Sequence, residues 1–486
     1  MSSLSLLAAA REAPERPALF AQGTSYSFTE LGLRAAALCA RFCAIGVGPD
    51  SRVALVAKNR VETVLAIHAL LEIGAAIIPV HPRLTPPEVT ALLADGSSDL
   101  LLRDADLDAL LEATSPPPPT ADLRPPDPSS LFAIVHTSGT TGRPKGAMLT
   151  RAAILASAAA SAQNLGWNAD DRWLACMPLC HIGGLSIVTR CLLARAPLIL
   201  EPRFEPGSVL EAIRRDRATL LSVVPTMLQA LLEADREDLL ARLRAVLVGG
   251  AAAPSALLDE CARRGVPALT TYGLTEACSQ VSSQRPRDPI TREPGSGKPL
   301  PGVELRIERD PSAPSSDIGR IQIRGPTRMR GYWPPGGPRD GEPLPALDPA
   351  AWFDTGDLGM LDDEGRLHVF ARRTDLIVTG GENVYPAEVE QVLEAIPGVS
   401  RALVFGVPDD RWGQVVAAAL VLDPARPASS EHLADELTRS LASHKRPRCL
   451  CSVDALPVAA SGKLDRASAA QRFASLLTPF PPPAPR

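Results

Sequence analysis

The sequence predicts an α/β protein, with a large N-terminal domain built of α/β subdomains and a small β-rich subdomain, followed by a small α+β C-terminal domain. Three observations support this. Helical apolar patterns alternate with short apolar strands from the N-terminus onward, the pattern changes to short strands with Gly and Pro turns after Pro294, and a compact unit follows Arg372. The predicted domains are residues 1–373 and 374–478, with a disordered tail over 479–486.

Periodicity locates the individual elements in chain order. In the N-terminal domain it predicts helices over 29–42, 60–73, 149–162, 209–215 and 225–234, and strands over 53–56, 76–80, 198–200, 220–224 and 245–248. A Pro-rich stretch over 115–130 predicts an extended, exposed linker. Strands follow over 304–308, 319–323 and 367–370, and the C-terminal domain has predicted strands over 376–378, 399–407 and 414–422 with helices over 386–395 and 430–440.

Composition is that of a globular enzyme. The chain has 486 residues, of which 45% are hydrophobic, and a net charge of -5, which gives no reason to expect a nucleic-acid partner. The longest apolar stretch is interrupted by His68 and Glu72, so we predict no integral membrane segment. Nine cysteines, an odd number, indicate reduced thiols and a cytoplasmic location. The oligomeric state stays open, a homodimer or higher oligomer included.

One stretch has the composition of a phosphate-binding loop. Residues 132–150 read FAIVHTSGTTGRPKGAMLT, an apolar run followed by small and hydroxylated residues. Such a loop can turn backbone N–H groups toward an anion. It is not the P-loop of NTPases, because Pro144 precedes Lys145 and Gly146 follows it. A flexible surface loop between a strand and a helix explains this composition less well. The candidate anion ligands are Thr137, Ser138, Gly139, Thr140, Thr141, Gly142 and Lys145.

Lysine is scarce, which draws attention to two positions. Five of the 50 basic residues are lysine and the other 45 are arginine. A lysine within a Gly-containing loop therefore suggests a need for a compact ammonium group rather than a planar guanidinium. Lys145 and Lys463 fit this description.

A second stretch, TTYGLTEACSQ over 270–280, carries side chains suited to a nucleotide and its metal ion. Tyr272 offers an aromatic face for a base, Thr275 offers a donor for a phosphate, and Glu276 offers the carboxylate oxygen that Mg²⁺ prefers. Three later stretches add one candidate each, Asp357 in WFDTGD, Arg372 in RRTDLIVTGGENVY and Lys463 in LPVAASGKLDR.

Cys176, Cys180 and His181 raise the question of a transition-metal site. No second Cys or His pair lies nearby in the sequence. We therefore predict buried small apolar residues here rather than metal ligands.

Taken together, these stretches resemble the motif set of the adenylate-forming superfamily, which includes acyl-CoA synthetases, adenylation domains and luciferases. The phosphate loop, YGxTE, TGD, RxxDxxxxGGENxxPxExE and PxxxxGK occur in that order over essentially the whole chain. The resemblance implies the fold of these enzymes, with a mobile C-terminal domain, and a two-step reaction. A carboxylate first reacts with ATP to give an acyl-adenylate, and a thiol, usually that of coenzyme A, then forms the thioester. ATP, Mg²⁺ and coenzyme A are the implied cofactors and co-substrates.

The same resemblance implies roles for the candidate residues. Lys463 would bridge the carboxylate and the α-phosphate, and Glu276, helped by Thr275, would hold Mg²⁺. Asp375 would be the hinge about which the small domain rotates between the half-reactions. The remaining implied roles are phosphate binding by Thr137 to Lys145, adenine binding by Gly250, Ala251, Thr271 and Tyr272, ribose binding by Asp357 and Arg372, and a coenzyme A channel at Gly380 and Gly381.

The local sequence narrows the choice of carboxylic acid substrate. Residues 173–190, WLACMPLCHIGGLSIVTR, are similar to a segment of the 2-succinylbenzoate–CoA ligases of menaquinone biosynthesis. In that family a basic residue nine positions after the histidine is thought to meet the substrate carboxylate that is not activated, and Arg190 has this spacing from His181. A buried arginine suits a second carboxylate and would be costly beside a fatty acid. The implied acid-pocket residues are His181, which is also counted as catalytic, Arg190, Ser279 and Gln280. A core histidine with satisfied hydrogen bonds is the alternative for His181.

Two positions depart from the family pattern. Cys180 stands where relatives commonly carry an aromatic residue, and Ala371 replaces the Asp or Gly that usually precedes Arg372. Three other functions stay open: a CoA ligase for another aryl or aliphatic acid, an adenylating enzyme that loads a carrier protein, and a non-catalytic ATP-binding relative. Intact Lys463, Glu276 and phosphate loop argue against the last.

Overall fold

The structure, a computed structural model, describes residues 3–96, 98–113, 126–137, 145–286, 294–309, 317–334, 344–372, 375–379, 382–409, 412–441, 443–458 and 464–481. It is an α/β protein with mixed sheets and a further sheet in its C-terminal part, so the predicted fold class is confirmed. Most of the predicted linker, residues 115–125, lies outside the described residues.

The first section of the chain alternates helices and strands as the periodicity predicts. Helix α2 begins after Ser27, whose hydroxyl accepts the backbone N–H of Glu30, while the Glu30 carboxylate accepts the backbone N–H of Ser27. The elements of this section are α1 (Leu6–Glu12), β1 (Pro17–Ala21), β2 (Thr24–Ser27), α2 (Phe28–Ala44), β3 (Arg52–Val56), α3 (Val61–Ile73), β4 (Ala76–Val80), α4 (Pro86–Gly96), β5 (Leu100–Leu102) and α5 (Asp104–Glu112).

The second section contains the motif stretches. Its elements are β6 (Leu131–Thr137), β7 (Lys145–Thr150), α6 (Arg151–Leu165), β8 (Trp173–Ala175), α7 (Ile182–Ala194), β9 (Leu198–Leu200), α8 (Pro206–Asp216), β10 (Leu220–Val223), α9 (Pro225–Ala234), β11 (Ala245–Val248), α10 (Ser255–Arg263), β12 (Ala268–Leu274), β13 (Ser279–Ser283) and β14 (Lys298–Pro299). The helix predicted from Leu149 begins instead at Arg151, because β7 pairs with β6 as far as Thr150. The Thr150 hydroxyl then caps α6 by accepting the Ala153 N–H.

The predicted β-rich subdomain is a four-stranded antiparallel sheet. The elements here are β15 (Glu304–Arg309), β16 (Gly319–Arg324), β17 (Gly331–Tyr332), β18 (Phe353–Leu361) and β19 (Leu367–Arg372), and the sheet order is β15-β16-β18-β19. The remaining strand, β17, leaves this sheet and pairs with β7.

Two large sheets form the rest of the N-terminal part. One has nine strands in the order β14-β13-β12-β11-β10-β8-β9-β1-β2, and the other has six in the order β17-β7-β6-β4-β3-β5. Strands β8 to β12 that neighbour one another are parallel, as are β3, β4 and β5 with their neighbours. The loops that follow parallel strands meet at one edge of a sheet, which is where ligands bind in open α/β sheets. Phe28, Phe132 and Trp173 are among the largest fully buried side chains of the core.

The C-terminal part has its own sheet and core. Its elements are β20 (Ile377–Thr379), β21 (Glu382–Val384), α11 (Pro386–Glu394), β22 (Val399–Asp409), β23 (Gly413–Leu422), α12 (Ser430–Ser440), β24 (Cys449–Ser452), α13 (Arg466–Phe473) and β25 (Thr478–Pro479). Disorder was predicted from Pro479 onward, but Pro479 lies in β25, which pairs with β24, and Phe480 is only 8% exposed in the core. Residues 482–486 lie outside the described residues.

The helices of the described ranges were predicted not to cross a membrane. None of the helices there combines the length and the apolar character needed to cross a bilayer.

The β12–β13 hairpin leaves no room for a side chain at Gly273. An added Cβ would lie 1.8 Å from the carbonyl oxygen of Ser279, and rotation of a side chain cannot relieve a contact with backbone. We expect Gly273→Ala to lower the free energy of unfolding by about 2 kcal/mol, measured by chemical denaturation. Gly48→Ala is the matched control, because a Cβ there meets nothing within 4 Å. Equal losses in the two variants would contradict the steric explanation.

Candidate active site

The ends of the predicted phosphate loop lie side by side. Thr137 ends β6 and Lys145 begins β7, and the two residues are partners in the antiparallel register. The Thr137 hydroxyl donates to the carbonyl of Lys145 over 3.3 Å. Strands β6 and β7 are thus antiparallel neighbours, and the residues between them connect two strands rather than a strand and a helix. Of its predicted ligands, Ser138, Gly139, Thr140, Thr141 and Gly142 lie outside the described residues.

Tyr332 connects the phosphate-loop lysine to the predicted magnesium ligand. Its hydroxyl donates to Oε1 of Glu276 over 2.8 Å, and the Nζ of Lys145 lies 5.4 Å from the centre of its ring. Strand β17 brings Tyr332 here by pairing with β7, where Tyr332 is the partner of Ala147. The structure therefore places a cation, a phenol and a carboxylate in one group, which suits a phosphate with its metal ion.

The predicted nucleoside residues also come together. The Tyr272 hydroxyl donates to Oδ2 of Asp357 over 2.6 Å, and both residues are buried. Asp357 is the partner of Arg372 in the pairing of β18 with β19. Since Tyr272 lies in β12, this hydrogen bond joins the nine-stranded sheet to the four-stranded sheet.

Gly250 and Ala251 follow β11 on the exposed side of the molecule, and Gly250 has a φ of 79°, in the region that favours glycine. The neighbouring strand carries Thr271, which donates to the Ser282 carbonyl and accepts from Nε2 of Gln280 over 3.1 Å. Thr271, predicted to bind adenine, and Gln280, predicted to line the acid pocket, are therefore in direct contact.

The turn that carries Thr275 and Glu276 ends in strained backbone. Residues Thr275–Ala277 form one turn of 3-10 helix, after which Cys278 has a φ of 53° and Ser279 a φ of 102°. Non-glycine residues rarely adopt the second value, and such strain is often found at functional sites. The hydroxyl of Ser279 lies 3.4 Å from that of Ser186 in α7, so this turn faces helix α7.

Arg190 is a buried cation with unused donors. It is 3% exposed, and its guanidinium lies 5.4 Å from the centre of the Trp173 ring. Its Nε and Nη2 have no hydrogen-bond partner among the described residues. Burial lowers the pKa of Arg190 to about 10, so the side chain still carries its charge at neutral pH. Arg190 follows Ser186 by four residues and so shares with it the face of α7 that meets Ser279.

His181 occupies a different position along the same helix. It is the N-cap residue of α7, half-buried, and lies two and a half turns before Arg190, roughly 13 Å along the axis. The two predicted acid-pocket residues are therefore well separated along one helical segment, His181 at its start and Arg190 within it.

Cys180 and His181 lie beside His81, which the sequence analysis did not single out. The two imidazole rings have their centres 5.6 Å apart, and one ligand atom from each of the three residues lies within 4.8 Å of the others. His81 follows β4, far from Cys180 in the sequence, so inspection of neighbouring residues could not find it. Cys176 is buried and does not belong to this group.

The hinge candidate Asp375 is paired with Arg466. One guanidinium nitrogen of Arg466 lies 3.4 Å from Oδ2 of Asp375, the other bonds to Glu390, and Nε donates to the Val404 carbonyl over 2.8 Å. Arg466 follows Lys463 by three residues and thus links that segment to the hinge candidate. Lys463, Gly380 and Gly381 lie outside the described residues, and nothing is described of the Arg372 side chain.

Sequence reasoning missed Tyr332 and Arg466, although each had a signal. Tyr332 is one of only four tyrosines in the chain, and Arg466 closes the same short motif that contains Lys463. Scarcity drew attention to lysine and could have done the same for tyrosine.

The sequence matches known protein families. Residues 6–333 match the family described as AMP-binding enzyme, and residues 388–463 match the AMP-binding enzyme C-terminal domain. The chain is 40% identical to the 2-succinylbenzoate–CoA ligase of Bacillus velezensis, a match that covers 95% of this chain and 96% of that protein. It is 37% identical to the ligase of the same name from Bacillus cereus, over 93% and 95% of the two chains.

The chain is also similar to solved structures. The chain is similar to o-succinylbenzoate CoA synthetase from Bacillus subtilis in complex with the acyl-adenylate intermediate, with a TM-score of 0.81 and 34% identity over 96% of this chain and 97% of that one. It is also similar to ATP-bound MatB from Rhodopseudomonas palustris, with a TM-score of 0.85 and 28% identity over 97% and 99% of the two chains.

The contact between Tyr332 and Glu276 should affect the magnesium requirement. We expect Tyr332→Phe to raise the Mg²⁺ concentration needed for half-maximal ATP–pyrophosphate exchange about tenfold, because a hydrogen bond to a charged group contributes about 1.5–3 kcal/mol. Tyr332→Leu also removes the ring beside Lys145 and should weaken ATP binding further. Tyr26→Phe, at a tyrosine outside this group, serves as the control. An unchanged magnesium requirement in Tyr332→Phe would show that the hydroxyl does not position Glu276.

Proposed function

The chain belongs to the AMP-binding enzyme family, and we propose that it is an ATP-dependent acid–CoA ligase of menaquinone biosynthesis that converts 2-succinylbenzoate into 2-succinylbenzoyl-CoA. In the first step a carboxylate oxygen attacks the α-phosphorus of ATP, and pyrophosphate leaves. In the second, the sulfur of coenzyme A attacks the acyl carbon and AMP leaves. We place the enzyme in the cytoplasm, in keeping with nine cysteines that are all free.

The observation that carries the choice of acid is the buried guanidinium of Arg190. Its Nε and Nη2 lack partners among the described residues, and such a group is costly unless a ligand satisfies it. 2-Succinylbenzoate keeps an aromatic carboxylate when its succinyl carboxyl is activated. A planar guanidinium pairs bidentately with such a group, whereas a fatty acid offers nothing to pair with.

Contacts around Arg190 support an acid pocket between α7 and β13. Ser186, one helical turn before Arg190, touches Ser279, whose backbone is strained. Gln280 follows Ser279 and contacts Thr271, which we assign to the adenine site. The order Arg190, Ser279, Gln280, Thr271 therefore runs from the proposed carboxylate end of the acid toward the nucleotide.

The group formed by Lys145, Tyr332 and Glu276 supports the assignment of a nucleotide phosphate site. Two anions must approach one another in the first step, so fixed cations and N–H donors near the phosphates lower the barrier. We assign Lys145 to the β- and γ-phosphates and Glu276, with Thr275, to Mg²⁺, which neutralises phosphate charge when bound. We assign the α-phosphate to Lys463, and the ribose to Asp357 and Arg372, as the family resemblance implies.

Substrate choice is tested with a panel of acids. Purified protein with ATP, Mg²⁺ and coenzyme A should form a thioester with 2-succinylbenzoate in preference to benzoate, succinate and fatty acids, with products read by mass. A thioester formed only with aliphatic acids would overturn the assigned acid. Transfer to a carrier protein but not to coenzyme A would overturn the assigned acceptor, and the absence of any ATP–pyrophosphate exchange would overturn ligase activity itself.

Arg190→Leu should separate substrate binding from stability. We expect the KM for 2-succinylbenzoate to rise about 100-fold, because loss of a charge-assisted bidentate pair costs about 3 kcal/mol, while the KM for ATP stays unchanged. Thermal stability should stay the same or rise, since the substitution removes a desolvated charge with unused donors. The KM of Arg190→Lys for 2-succinylbenzoate should lie between those of the parent enzyme and Arg190→Leu. A loss of stability without a change in KM would assign Arg190 a structural role instead.

A further inference from the structure

His81, Cys180 and His181 bring together two imidazoles and a thiol. One ligand atom from each lies within 4.8 Å of the other two. A tetrahedral zinc site with ordinary bond lengths holds its donors roughly 3.5 Å apart, so side-chain torsions must bring this group about 1 Å closer. His81 lies in the loop after β4 and His181 lies before α7, so both histidines are on loops that can make this adjustment.

The donor types select the class of cation. Imidazole nitrogen and thiolate sulfur suit Zn²⁺ and neighbouring transition metals, whereas Mg²⁺ requires oxygen ligands. The magnesium that accompanies ATP therefore does not compete for this group. Three protein ligands leave a fourth position for water, as in open rather than closed zinc sites.

The fold places the group where two sheets meet. His81 follows β4 of the six-stranded sheet, and Cys180 and His181 follow β8 of the nine-stranded sheet. Both β4 and β8 have parallel neighbours, and each residue lies beyond the carboxyl end of its strand. The site thus lies at the edge where the loops of both sheets converge.

We propose that His81, Cys180 and His181 bind a divalent transition-metal cation of the zinc type, and that the bound cation inhibits the ligase by immobilising His181. The inhibitory part of this proposal rests on the proposed function, because His181 is assigned there to the acid pocket. Cation binding itself is independent of that function.

Protonation and charge set the conditions for binding. Cys180 is buried and must bind as a thiolate, so cation binding replaces the thiol proton and releases it to solvent. The backbone N–H of Arg83 donates to Nδ1 of His81 over 3.1 Å, and this exposed hydrogen bond gives way when the ring turns to a cation. The positive charge of Arg83 near His81 opposes the cation. We therefore expect weaker binding than at a closed four-ligand site.

Cobalt(II) tests the site without reference to activity. Titration of chelator-treated full-length protein with Co²⁺ should give one equivalent of a thiolate-to-cobalt charge-transfer band, and Zn²⁺ should abolish it while excess Mg²⁺ should not. Cys180→Ser should remove the band and His81→Ala should weaken cobalt binding at least tenfold. Cys43→Ser, at an exposed cysteine, is the matched control and should bind as the parent does. A band that persists in Cys180→Ser would overturn the site.

Inhibition is tested in the ligase assay. Zn²⁺ should lower the rate of 2-succinylbenzoyl-CoA formation and raise the apparent KM for the acid, and His81→Ala should need at least tenfold more Zn²⁺ for the same inhibition. Equal inhibition of His81→Ala and the parent enzyme would overturn the inhibitory role even if cobalt binds. An enzyme free of Zn²⁺ that activates no acid in the presence of ATP and Mg²⁺ would instead contradict the proposed function and leave the cobalt result intact.

Discussion

The hydrogen bond from Tyr332 to Glu276 crosses from the six-stranded sheet to the nine-stranded sheet. The backbone N–H of Met329 adds a second link by donating to the carbonyl of Glu276 over 2.7 Å. The segment from Met329 to Tyr332 therefore holds the ends of two sheets together at the proposed phosphate site. This segment therefore helps to fix the position of Glu276 relative to Lys145.

The buried charge of Arg190 is unfavourable for folding but suits the binding of a carboxylate. A cation that is 3% exposed with unused donors destabilises the folded protein, and its contact with the Trp173 ring offsets part of that cost. Such an arrangement is understandable where a ligand supplies the missing partner. The same desolvation strengthens the attraction for a carboxylate, because water does not compete for the guanidinium.

Sequence patterns predicted the local features well and the long-range contacts poorly. The strand before the phosphate loop, the helix after Pro386 and the carboxylate at Glu276 follow from periodicity and motif spacing. The position of Tyr332 depends on the pairing of β17 with β7, which joins residues far apart in the chain and leaves no local pattern. His81 was missed for the same reason. From Pro479 onward the Pro-rich composition predicted disorder, but Pro479 pairs with Cys449 of β24 and Phe480 packs in a hydrophobic core.

Strand β1 lies between β2 and β9 in the nine-stranded sheet. β1 ends at Ala21 and β9 begins at Leu198, so the ribosome must add most of two hundred residues before the second neighbour of β1 exists. At synthesis rates of about 5–20 residues per second, this interval is on the order of ten to forty seconds. During that time the nascent chain has one side of the β1–β2 hairpin unpaired, which makes it a natural substrate for chaperones that bind exposed strand edges.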